Sequence, residues 1–129
     1  MKKTVFIALA IAMLVPLIGS AYDFEEAAVS NGYTITSTNL SLSSQGINSL
    51  AGATNYTAAI HIDLSQNILA DLVANPFVGL TSLKDLDLSG NAITSIVYNT
   101  FSGLSALETL RLSGTLPERR TMLPEHAMI

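Results

Sequence analysis

Cysteine is absent from the 129 residues. The chain therefore has no disulfide staple, no thiol nucleophile, no thiolate metal site and no lipid-modified cysteine anchor. Stability has to come from packing alone, a demanding condition for a domain of this size. Basic residues are also scarce, with six Lys and Arg against ten Asp and Glu. That balance leaves no electrostatic footprint for nucleic acid and no polybasic patch for an anionic bilayer. The longest apolar run, Thr4 to Ile18, falls short of the roughly 20 residues that a membrane span requires.

That run belongs to a segment of its own. Lys2 and Lys3 precede it, Pro16 sits near its end, and Gly19, Ser20 and Ala21 follow before the polar sequence Tyr22-Asp23-Phe24-Glu25-Glu26. This is the layout of a secretory leader, with cleavage expected after Ala21. An uncleaved anchor is the alternative. After cleavage four basic residues face ten acidic ones, a formal charge of −6, and no membrane insertion is expected. The expected location is secreted, periplasmic or at the cell surface.

What is present is a repeat. Residues 59 to 82 set above residues 83 to 106 give nine identities at an interval of 24. Asp63, Leu64, Ser65 and Asn67 fall over Asp87, Leu88, Ser89 and Asn91. Val73, Asn75, Phe77, Gly79 and Leu80 fall over Val97, Asn99, Phe101, Gly103 and Leu104. Leu107, Leu110 and Leu112 begin a further copy in the same register. An earlier copy runs 22 residues ahead, with Leu40, Leu42, Gln45, Ile47 and Leu50 preceding Ile62, Leu64, Asn67, Leu69 and Leu72. About three and a half copies span residues 37–114.

The spacing within a copy dictates local structure. Leu86 and Leu88 lie two apart and share one side of a strand, while Asp85, Asp87 and Ser89 alternate to the other. No single copy can bury its leucines, so a neighbour must cover them. Leu64, Leu88 and Leu112, with Phe77 and Phe101 stacked behind them, are the expected core. Gly79 and Gly103 permit tight turns, and Pro76 suits an irregular segment rather than a central strand.

The pattern Leu83-x-x-Leu86-x-Leu88-x-x-Asn91-x-Ile93 resembles the leucine-rich repeat at every fixed position. Its extension through Ile96, Phe101 and Leu104 is similar to the 24-residue extracellular type. The resemblance implies an α/β solenoid, a short or truncated horseshoe with parallel strands on its concave face. It also implies that Asn67 and Asn91 lie inside the coil and hydrogen-bond the backbone of adjacent turns. Gln45 and Thr115 take that place in the outer copies, where the ladder is expected to weaken. Residues 22–36 read as an N-terminal cap segment with a short helix around Glu25-Glu26-Ala27-Ala28. Residues 115–129 read as an irregular tail, either folded back as a makeshift cap or the mark of a truncated member.

In this family partners dock on the concave face. Carried onto this sequence, that face holds His61, Asp63, Ser65, Asp85, Asp87, Ser89, Thr109 and Arg111, with Ser41, Ser43 and Ser113 extending its columns. The expected partner is a protein bearing basic or hydrogen-bonding groups. The alternatives are a self-associating structural or adhesive surface component, or a metal- or glycan-binding module. Metal binding is disfavoured because side chains on a gently curved sheet stand side by side rather than converge. Catalysis is disfavoured because Ser65, Ser89 and Ser113 recur with the repeat, and no strained elbow or oxyanion glycine pattern surrounds them. No cofactor is expected, and the oligomeric state is not assigned. Asn39-Leu40-Ser41 and Asn55-Tyr56-Thr57 fit the glycosylation triplet but are read as chance, because the Met-Lys-Lys opening leans bacterial.

Overall fold

A computed structural model of the chain describes residues 22–70, 72 and 75–115. The expected leader at residues 1–21 and the tail beyond residue 115 lie outside the described residues.

The described chain begins with α1, Phe24–Ser30. Its start is closed by a reciprocal cap. The Glu26 amide donates to Asp23 Oδ1 at 2.8 Å, and the Asp23 amide donates to Glu26 Oε2 at 3.4 Å. Its end turns on Gly32, whose φ of 80° suits a residue without a β-carbon, and the Tyr33 amide closes back onto the Ala28 carbonyl at 2.9 Å. Phe24, Ala27 and Ala28 form the buried face. Phe24 meets Tyr56 edge to face with ring centroids 5.2 Å apart. The cap is joined to the first coil through the backbone, where the Phe24 amide reaches Ser49 O at 3.0 Å and the Asn48 amide reaches Tyr22 O at 3.0 Å.

Four strands follow, one per coil: β1 Asn39–Ser41, β2 His61–Asp63, β3 Asp85–Asp87 and β4 Thr109–Arg111. They pair in chain order, all parallel, in one open sheet. Leu40, Ile62, Leu86 and Leu110 share a register row, as do Leu42, Leu64, Leu88 and Leu112 one step beyond each strand. The first three of each row are buried. Between strands the chain returns through turns and one 3₁₀ segment at Ala53–Asn55. Phe77 and Phe101 stack behind the sheet, centroids 6.2 Å apart and planes 11° from parallel.

Burial is uneven at the last coil. Leu64, Leu88 and Phe77 are wholly buried, whereas Phe101, Leu110 and Leu112 are only partly so. The expectation of Phe101 and Leu112 as full core residues is corrected to that extent. Each coil is covered by its successor, and among the described residues nothing succeeds the coil that holds them.

Two asparagines tie the coils together from inside. Asn67 accepts from the Gln45 and Ile47 amides at 2.9 and 3.0 Å and donates to the Leu42 and Leu64 carbonyls at 2.9 Å each. Asn91 accepts from the Leu69 amide at 3.1 Å and donates to the Leu64 and Leu88 carbonyls at 2.9 and 2.8 Å. These bonds satisfy backbone groups that the bend takes out of water. The outer positions depart from this. Gln45 turns its side chain away to Asn31 and the Ser43 carbonyl, because its extra methylene does not suit the inward place. Thr115 is buried and keeps one bond of the set, its hydroxyl donating to the Leu112 carbonyl.

The residue just before this inward place is left-handed in each coil. Ser44 and Gln66 have φ of 57°, Gly90 has 70° and Gly114 has 68°. Glycine suits that conformation, and at Gly90 a β-carbon would also displace the exposed end of the Gln66 side chain, whose Nε2 lies 2.3 Å from that place, a minor cost beside the left-handed φ.

Candidate functional site

Strand register builds one face from alternate residues. Asn39, His61, Asp85 and Thr109 form one row; Ser41, Asp63, Asp87 and Arg111 form the next. Ser65 and Ser89 stand two residues beyond Asp63 and Asp87 in their own coils. A shallow depression of about 210 Å³ sits on this face, lined by Asn39, Ser41, His61, Asp63, Asp85, Asp87 and Arg111 with Leu40 and Ile62. Thr109, Ser65 and Ser89 are not part of its lining.

The two serines are engaged elsewhere. Asp63 Oδ1 accepts from the Ser65 amide at 2.9 Å and from the Ser65 hydroxyl at 2.6 Å. Asp87 Oδ1 takes the same two groups of Ser89, with the amide at 2.9 Å. Each Asp-x-Ser unit is a side-chain turn that closes the chain as it leaves the strand. Asp63 and Asp87, expected to face water, are therefore half-buried, with one oxygen engaged and one remaining.

The one arginine among the described residues makes a diagonal contact. Arg111 shares a register row with Asp87, yet its Nη1 donates to Asp85 Oδ1 at 2.6 Å. Asp87 Oδ1 is already taken by Ser89, and Asp85 has no serine two residues on. The other oxygen of Asp85 lies 3.6 Å from His61 Nδ1. Arg111 is exposed and Asp85 half-buried, both within reach of solvent, so the Arg111–Asp85 pair contributes at most about 1 kcal/mol to folding. Its effect is orientational, since it holds a guanidinium and a carboxylate in place beside the depression. It also leaves Asp63 and Asp87 as neighbouring carboxylates without a cation of their own among the described residues. Lys84 and Glu108, 3.7 Å apart and exposed, precede the β3 and β4 strands.

Among the described residues no three or more His, Asp or Glu side chains converge as a metal-ion cage. No helix among them is long and apolar enough to cross a membrane.

A family model described as Leucine rich repeat matches residues 59–116. The chain is a leucine-rich-repeat protein. Its four-stranded parallel sheet with few helices is a short, open leucine-rich-repeat solenoid. Domains of this family commonly mediate protein–protein interaction and are typically not enzymes. No curated protein matches the chain. Of the residues expected on the concave face of this repeat protein, His61, Asp63, Asp85, Asp87 and Arg111 come together around one depression. Asn39 joins them without having been singled out. Its signal was available, because it precedes His61 by the same 22 residues that align Leu40 with Ile62.

Proposed function

We propose that this leucine-rich-repeat protein recognises a protein partner outside the cytoplasm, using the concave strand face around Asp63 and Asp87. One observation carries the reading. Two adjacent carboxylates line the depression, each with its Oδ1 held by a serine and its Oδ2 without a hydrogen bond among the described residues. Such oxygens are pre-oriented acceptors, and they suit basic or hydrogen-bonding groups on a partner. Arg111, fixed by Asp85, supplies a donor at the far edge. Placement outside the cytoplasm is supported by the leader-like residues 1–21.

The test is a double change, Asp63→Lys with Asp87→Lys. Capture of the partner is expected to vanish while circular dichroism stays unchanged. Partner capture that survives in the folded double variant refutes the site. Export is tested separately by intact mass, where the exported protein is expected to begin at Tyr22.

A further inference from the structure

The two ends of the sheet are unlike. Along the stack a fixed set of backbone bonds joins each coil to the next. The Leu42 amide donates to Asp63 O at 2.8 Å, the Leu64 amide to Asp87 O at 2.8 Å, and the Leu88 amide to Arg111 O at 2.9 Å. Ser44, Gln66 and Gly90 repeat this one step later, donating to Ser65, Ser89 and Ser113 carbonyls at 3.0, 2.8 and 2.9 Å. The next members of the two series, the Leu112 and Gly114 amides, have no following strand among the described residues. The register names the acceptors they would seek. Arg111, Asp87 and Asp63 occupy one row, and its first member is Ser41 on β1. The β4 edge of one molecule is thus complementary to the β1 edge of a second copy, by the same pairing that joins coils within the chain. A joint of this kind leaves a free edge at each end, so it would grow without closing.

Tyr33 stands at that joint. Its hydroxyl accepts from the Ser41 amide at 3.0 Å and lies 3.5 Å from the Ser41 carbonyl. Those are the outward backbone groups that a preceding strand would use. The ring packs against the edge of the core. No like charges would otherwise oppose the joint, since Asn39 and Ser41 would fall beside Thr109 and Arg111.

We propose that Tyr33 is a gatekeeper, its phenol occupying the β1 edge at Ser41 and so preventing the β4 edge of a second copy from docking there in head-to-tail polymers. Exposed strand edges are a general liability, and a side chain seated on the edge is one way to blunt them. The proposal does not depend on the concave-face reading.

Sedimentation velocity on the full chain tests it. The wild type is expected to hold one mass as concentration rises. Tyr33→Ala is expected to show a mass that more than doubles over the same range. Tyr33→Phe keeps the ring and removes only the hydroxyl, so it guards against misfolding and is expected to show a smaller rise. Adding Leu112→Pro, which deletes the first of the two donors at the β4 end, should lower the mass of Tyr33→Ala towards the wild-type value, with circular dichroism confirming the fold. Unchanged mass in the folded Tyr33 variants overturns the proposal, and so does a polymer whose mass Leu112→Pro leaves unaltered.

Discussion

Replacing Asn91 with alanine removes three strong hydrogen bonds from a side chain that is only 6% exposed. The consequences differ bond by bond. The Leu64 carbonyl keeps the Asn67 amide as a donor. The Leu69 amide and the Leu88 carbonyl lose the side-chain partner that the bend supplies. Each buried orphan costs about 1–3 kcal/mol, so Asn91→Ala is expected to cost about 3 kcal/mol in all. That is roughly a hundredfold in the folding equilibrium. Asn91→Asp separates donor from acceptor. It keeps the oxygen that receives the Leu69 amide but points a second oxygen at two carbonyls, so at neutral pH it should cost more than alanine. Burial and those carbonyls raise the carboxyl pKa in the folded state. The extra deficit should therefore shrink as pH falls through the carboxyl range, where the protonated acid can donate. The chain has no tryptophan, so the assay is urea unfolding followed by far-UV circular dichroism. A loss within about 0.5 kcal/mol for both variants, the range of ordinary surface changes, would refute the ladder argument.

Leu88→Ala, at a fully buried site, should cost roughly 2–5 kcal/mol by the same assay, and unchanged stability would contradict its core placement. Thr100 buries a hydroxyl without a hydrogen-bond partner among the described residues, so Thr100→Val is expected to raise stability by about 1 kcal/mol, read as a higher urea midpoint. The Tyr56 phenol is pushed above its ordinary 10.0, first by burial and then by the charges of Glu25 and Asp23. The folded state thus holds its proton more tightly than the unfolded chain. Tyr56 contributes stability that is complete below pH 10.0 and is lost as pH rises through the folded value. Alkaline unfolding curves should show this loss, and Tyr56→Phe should remove that part of the pH dependence.

The recurrence at 24 residues already determined which side chains turn inward, because coil-on-coil burial repeats whatever spacing the leucines repeat. Leu64 and Leu88, the stacked Phe77 and Phe101, and the rows through Asp63 and Asp87 follow from that one interval, whereas the inward place of Asn67 and Asn91 was implied by the family resemblance. The cap helix was legible in Glu25-Glu26-Ala27-Ala28, but the reciprocal cap between Asp23 and Glu26 that starts it emerged only in the fold. Tertiary structure decided what has no repeat to compare it with. Arg111 reaches diagonally to Asp85 rather than to Asp87, its partner in the register row, a choice that no interval records. Gln45 turns outward to Asn31 on the cap, and Tyr33 reaches across eight residues of chain to the edge of β1. Periodicity reports the neighbours each coil shares with the next. It is silent on contacts made once, at the ends and between side chains of different length, where geometry rather than pattern selects the partner.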